Sequence, residues 1–222
     1  MADNMAKVLE IDFSGMLLKI NDKEFWTPLI GKFNASNILA VFSVACIAGI
    51  KSIEILKILS QTKVINGRFE IYKTPNNAFV IIDYAHTPNS LENVIDTISQ
   101  IRTKNELFTT IIGCGGNRDV GKRSKMGEIV LNGCDRVIFT SDNPRYEKPE
   151  KIINDMLLDI DPNNMKKISK IINRRKAIQS GCSKLNSGDI LLVVGKGHET
   201  YQEIKGEKIP FSDIKVVKES FS

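Results

Sequence analysis

After Asn66-Gly67 this chain alternates strand-like and helix-like runs, and that alternation leaves few folds open to it. Apolar runs rich in Val, Ile, Phe and Thr fall near 69–73, 79–83, 107–112, 136–140 and 189–194. Helical patterns fall near 88–102, 120–131, 149–158 and 174–184. Such alternation argues for βαβ units and an α/β class: a Rossmann-like, mostly parallel sheet flanked by helices. Residues 201–212 read as a hairpin, followed by a short helix at 213–220.

The segment before residue 66 follows another grammar. Residues 6–30 alternate apolar and polar positions in short runs, with a turn signal at Asn21-Asp22, and read as a small antiparallel meander. A helix is expected from about 35 to 48 with Gly49 as its stop, and a second from Ser52, as N-cap, to Ser60. A boundary belongs near residue 66. The first 65 residues are too few and too strand-edged for a complete domain and read as the tail of a larger one. The expected units are 1–66 and 67–222.

Composition narrows the function classes. A 42% hydrophobic fraction supports a folded core, and a net charge of +5 favours anionic ligands. The basic residues are too dispersed for nucleic acid. Cys46, Cys114, Cys134 and Cys182 form no C-x-x-C pair, so zinc is disfavoured and a reducing cytoplasm fits. The opening MADNMAKVLEID has charges where a signal peptide needs an apolar run. The longest apolar stretch, 38–50, is too short to span a bilayer.

Three loops directly follow apolar runs and carry the chemistry: GCGGNRD (113–119), the Asp142-Asn143-Pro144-Arg145 turn, and GKGHE (195–199). In an open parallel sheet, loops after strand carboxyl ends share one crevice. A guanidinium on a rigid turn can grip a carboxylate at two points. Glycines in GCGGNRD let backbone N–H groups approach an anion, and Arg118, Asp119, Lys122 and Arg123 make the loop dense in charge, which favours a ligand. Position 118 is Arg rather than Gly, which counts against a dinucleotide fingerprint. GKGHE reads equally as a ligand loop, with Lys196 and Glu199 meeting charged groups, or as a glycine-rich turn with solvated charges. DYAHTP (83–88) places Asp83 and His86 at a strand end, with Thr87-Pro88 as a helix start. No G-x-x-x-x-G-K-[ST] phosphate loop occurs.

In order, FNASN, GRFE, DYAHTP, GCGGNRD with GKRSKMG, TSDNPRYE, GKGHETYQ and PFSD resemble the MurE type of Mur ligase, the UDP-N-acetylmuramoyl-dipeptide:amino-acid ligases of peptidoglycan synthesis. Each piece alone is weak; seven in order are specific, and they cover about 34–213. The resemblance implies a three-domain architecture of which this chain holds the end of the central ATPase domain (1–66) and the whole C-terminal amino-acid-binding domain (67–222). It implies meso-2,6-diaminopimelate as the incoming amino acid, contacted by Arg118, Asp142, Asn143, Pro144, Arg145, Gly195 and Glu199. On the ATP side it implies Asn37, Arg68, Asp83 and His86. ATP and magnesium are the implied cofactors, held mostly by sequence this chain lacks, and no catalytic or metal-binding residue is assigned within it. A cytoplasmic enzyme results, inactive without a UDP-sugar domain and a phosphate-loop domain that a second chain could supply. The alternatives are a non-catalytic interaction module or fragment, and a Mur-like ligase of different substrate. One departure stands out: the family pattern Asp-Arg before the late helix is Asn173-Arg174 here.

Overall fold

The computed structural model describes residues 4–158 and 160–222. The first three residues of the segment read for targeting lie outside these. Contacts divide the chain into two compact units, one of residues up to Ile65 with Asp96–Ile101, the other Asn66–Ile95 with Arg102–Ser222.

The first unit opens with β1 (Ala6–Asp12), β2 (Gly15–Ile20) and β3 (Lys23–Thr27), an antiparallel meander in the order β1-β2-β3. Met16, Leu18 and Ile20 alternate onto one face of β2. There they join Ile38 and Phe42 of α1 (Lys32–Ile47) and Ile55, Leu56 and Leu59 of α2 (Ser52–Ser60). Helix α1 ends in a Schellman motif: Gly49 takes φ +85°, its N–H donates to Cys46 O, and Ile50 N–H donates to Ala45 O. The expected Ser52 N-cap is corrected: the cap position is Lys51, with no side-chain cap. Ser52 Oγ instead accepts from Lys23 Nζ at 2.6 Å, so a longer-range partner took the oxygen.

The second unit is built on β4 (Glu70–Lys73), β5 (Phe79–Asp83), β6 (Phe108–Ile112), β7 (Arg136–Phe139), β8 (Ile168–Lys170) and β9 (Ile190–Val194), in the order β4-β5-β9-β6-β7-β8. Only β4 runs antiparallel, against β5. The mostly parallel α/β sheet expected from the alternation is what forms. Phe69, at φ +47°, delays β4 to residue 70. Strand β8 has only three residues, no buried position and no apolar run to mark it, and the sequence reading missed it.

The helices are α3 (Pro88–Ile101), α4 (Gly121–Gly133), α5 (Pro149–Met156), α6 (Arg174–Cys182) and α7 (Asp213–Glu219). Thr87 and Ser90 cap α3 reciprocally, each hydroxyl accepting the other's N–H. On one sheet face Val80, Ile82, Ile111, Ile138, Leu191 and Val193 pack on Ala177, Ile178 and Cys182 of α6 and Val216 and Val217 of α7. Helix α4 packs with β7 and α5. Strand β9 is buried at every position, as a central parallel strand must be. Each such side chain contributes about 1.5–3 kcal/mol by leaving water. The chain runs outward from β5 to β8 and returns through α6 to insert β9 between β5 and β6. That insertion sets the loop after β9 beside those after β5, β6 and β7. The hairpin of β10 (Tyr201–Ile204) and β11 (Glu207–Pro210) follows that loop directly.

Candidate functional site

The loops after β6, β7 and β9 meet. Gly116 N–H donates to Asn143 O at 2.9 Å, and Tyr146 N–H to Asn117 Oδ1 at 3.0 Å. A Cβ on Gly116 would sit 2.0 Å from Pro144 O, so only glycine permits this approach. Here the glycines of GCGGNRD bring two protein loops together, a role the sequence reading had given to an anion.

Arg145 stands at the centre, with φ +50°, a sparsely populated conformation for a side chain of its size. Its Nη1 donates to Gly116 O at 2.8 Å and its Nε lies 2.9 Å from Glu203 Oε2. Arg118 is exposed on the neighbouring loop. A Cβ built on Gly115 would have Arg145 Nη1 at 3.1 Å and Arg118 Cγ at 3.6 Å, so the two cationic side chains flank one glycine.

Behind them Lys196 is fully buried. Its ammonium donates to Glu199 Oε2 at 2.7 Å and Asn143 Oδ1 at 3.0 Å, and lies 3.5 Å from Asp142 Oδ1. Asn143 Nδ2 donates to the same Glu199 oxygen at 2.9 Å. Glu199 therefore keeps Oε1 for another donor. Burial pushes its carboxyl up, but the bonds from Lys196 and Asn143 and the charges of Lys196 and Arg145 outweigh this and hold it below the ordinary range. It is an ionised acceptor. Asp142 is different: burial pushes its carboxyl up, against the pull of Arg174 and Lys196. Its Oδ2 would lie 2.6 Å from a Cβ on Gly195, so Gly195, at φ +108°, leaves room for that carboxylate. Asp142 faces inward to Lys196, and Pro144 is buried in the turn.

The dense charge of the first loop is corrected. Arg123 has no solvent exposure. It donates to Glu147 through both terminal nitrogens (2.9 and 2.8 Å), to Asp155 at 2.7 Å and to Gly115 O at 3.2 Å. Lys122 donates to His86 O, and Asp119 accepts from Gly121 N–H. Of the three cations in this stretch, Arg118 alone makes no hydrogen bond or ion pair among the described residues. The Arg123 bonds, with the Asn117 N–H, hold the Glu147 carboxyl at about 2, well below a free glutamate near 4.3. A depressed carboxyl stabilises the fold above the unfolded value, and that contribution disappears as pH falls through the folded one. We expect Glu147→Gln to flatten the loss of stability between about pH 4.5 and 2 relative to the parent chain. Urea midpoints across that range check it; parallel curves for the two proteins would refute it.

The nucleotide-side candidates divide. Arg68 lies over the Tyr84 ring at 4.5 Å from its centroid, and the His86 and His198 rings approach the same ring at 4.7 and 5.2 Å. Asp83 accepts the Phe69 and Ala85 N–H groups, both at 2.7 Å; burial still pushes its carboxyl up. Asn37 is exposed on α1, in the first unit. Asn173 accepts from Lys176 N–H at 3.0 Å and caps α6, a task Asp and Asn perform equally. Sequence reasoning missed Glu203 and Gln202 as supports. Gln202 Nε2 donates to Asp142 O at 2.7 Å and Glu203 N–H to Asn143 Oδ1 at 2.9 Å. Their only sequence signal was the hairpin following GKGHE. A cavity of about 550 Å³ also opens beside the turn, lined by Pro144, Arg145, Asn173, Arg174, Gln202 and Ile204 among others; Arg118 and Glu199 do not line it.

The carboxyl end of this α/β sheet thus carries two arginines, Arg145 and Arg118, and an ionised glutamate, Glu199. Residues 67–197 match the family profile described as "Mur ligase, glutamate ligase domain", and the chain belongs to that family. It is 46% identical over 222 residues to a protein of Phocaeicola vulgatus named UDP-N-acetylmuramoyl-L-alanyl-D-glutamate--2,6-diaminopimelate ligase, matching all of this chain and 46% of that one. It thus spans under half the length of that relative. A solved structure bearing the same ligase name is 33% identical, with a TM-score of 0.70 over 100% of this chain and 45% of the other. A folylpolyglutamate synthase from Thermotoga maritima, 20% identical, shares the fold alone, with a TM-score of 0.65 over 87% of this chain and 44% of the other.

Proposed function

We propose that this chain is the amino-acid-binding portion of a cytoplasmic ATP-dependent ligase that adds meso-2,6-diaminopimelate to UDP-N-acetylmuramoyl-L-Ala-D-Glu in peptidoglycan synthesis. In this reading residues 1–66 are the end of a central ATPase domain and 67–222 the amino-acid-binding domain. The rest of the architecture, on this polypeptide or a second one, supplies the phosphate loop and the UDP-sugar site. Helix α1 fits such a remnant: it is apolar on all sides, and Val41, Val44 and Ile47 are exposed on it.

The observation that carries the reading is the meeting of Arg145, Arg118 and Glu199 at one end of the sheet. Diaminopimelate bears two carboxylates and two ammonium groups. Arg145 takes the distal carboxylate, Glu199 Oε1 the distal ammonium, and Arg118 a further carboxylate. Asp142, Asn143, Pro144 and Gly195 hold that arrangement, with Lys196 behind them. Lysine lacks the distal carboxylate and leaves Arg145 unmatched, which is how a site rejects a near-isostere.

ATP, held mostly by the remaining architecture, would supply the activation of the acceptor carboxylate. The share of this chain is to present the diamine's nucleophilic nitrogen in line, a gain of orientation. The Arg68–Tyr84 stack and its two imidazoles suit a phosphate-bearing aromatic ligand, with Asp83 bracing that bend. Asn37, on α1, is kept as a nucleotide-side candidate on the family pattern alone. Among the described residues no three His, Cys, Asp or Glu side chains gather for a metal ion. Magnesium would have its ligands in the remaining architecture.

Calorimetry with meso-diaminopimelate and L-lysine tests the reading. Arg145→Lys should weaken diaminopimelate about 10- to 100-fold, the worth of a charge-assisted bidentate contact, and lysine hardly at all. Equal affinity for the two diamines in the parent chain, or no binding even with the rest of the architecture supplied, would count against it.

A further inference from the structure

We propose that Glu203 positions the Arg145 guanidinium and thereby sets discrimination between a diamino dicarboxylate and a simple diamine; this rests on the reading above. Arg145 has five N–H donors. The Glu203 carboxylate pairs with it on the Nε flank, Oε2 to Nε at 2.9 Å, and Gly116 O accepts one Nη1 hydrogen at 2.8 Å. Nε and Nη1 lie on opposite flanks of the guanidinium, so protein holds it from both sides, while Nη2, which makes no hydrogen bond among the described residues, is left for a ligand carboxylate. Without Glu203 the guanidinium could turn about its terminal torsions and offer either edge.

The support beneath this contact is independent of the carboxylate. Arg145 N–H donates to Glu203 O at 3.0 Å, and Lys205 N–H donates to Arg145 O at 2.7 Å, so the turn is paired as a one-residue extension along β10. Glu203 N–H also donates to Asn143 Oδ1. These bonds involve the Glu203 backbone and survive changes of its side chain. A substitution at 203 therefore addresses the orientation of Arg145 more than the placing of the turn. The half-buried Glu203 carboxylate, 24% exposed, also offsets the charge of Arg145, itself 19% exposed, while no ligand is present.

The test compares the full 222-residue chain with its Glu203→Ala and Glu203→Gln variants by calorimetry against meso-diaminopimelate and L-lysine, with melting temperatures. Glu203→Ala should lower diaminopimelate affinity about tenfold or more. Lysine affinity should move by less than about twofold, and the melting temperature by only a few degrees. Glu203→Gln, which keeps the shape of the side chain but loses the charge, should fall between. A parent chain that prefers diaminopimelate and a Glu203→Ala variant that keeps that preference would overturn this inference alone. Equal loss of both diamines with a large drop in melting temperature would assign Glu203 to scaffolding and overturn it too. A parent chain without the preference would overturn the underlying reading, and this inference with it.

Discussion

Replacing Asp213 by alanine should cost the chain about 3–5 kcal/mol. Arg174 and Asp213 are both fully buried, and the guanidinium meets the carboxylate through Nε at 2.8 Å and Nη2 at 2.7 Å. Removing the acid leaves the buried guanidinium with Val194 O as its remaining hydrogen-bond partner and only the charges of Asp142 and Glu199 to balance it. The loss reaches beyond the pair. Arg174 begins α6, Asp213 begins α7, and Arg174 Nη2 also donates to Val194 O at 2.9 Å, at the end of β9. Both helix starts are thereby fastened beneath the GKGHE loop. At about 2–4 °C per kcal/mol for a chain of this size, the melting temperature should drop by about 6–20 °C. Calorimetric melting of Asp213→Ala beside Asp213→Asn decides it. A variant within about 1 kcal/mol of the parent would show that the pair adds nothing net.

Lys196→Met should come close behind, with a signature in pH. The ammonium serves Asp142, Asn143 and Glu199 at once, and its loss leaves Asp142 buried with only Arg174 to balance it. The expected cost at neutral pH is about 3–5 kcal/mol. The sign with pH is opposite to that of Glu147. Burial already raises the Asp142 carboxyl, and without Lys196 it rises further. A carboxyl raised above its unfolded value destabilises the ionised fold and relieves it on protonation. The variant should therefore recover part of its deficit as pH falls from 7 toward 5. Adding Asp142→Asn should restore part of the loss at pH 7 in a double-mutant cycle. Urea midpoints of the four proteins measure this, and strict additivity of the two substitutions would refute the coupling. Because Lys196 also aims Glu199, the single variant should lose diamine binding as well.

The parallel sheet was legible because alternation of apolar runs and helical periods is a local pattern. So was the position of the loops at 113–119, 142–145 and 195–199, each directly after an apolar run. Arg123 was misread because charge density in a sequence window says nothing about partners. Glu147 and Asp155, which neutralise it, lie 24 and 32 residues away. Lys196 looked as much like a solvated turn residue as a ligand contact, and only burial showed that it binds its own protein. Ser52 lost its capping role to a lysine 29 residues earlier.

By itself the sequence determined the α/β class, the family and the loops that bear charge, since these rest on residue types and spacings along the chain. Tertiary structure alone decided that β9 inserts between β5 and β6, that the hairpin clamps Arg145, and which charges face a ligand and which face each other. Those outcomes depend on contacts between residues distant in sequence, and they are settled by which buried charges find partners as the sheet closes.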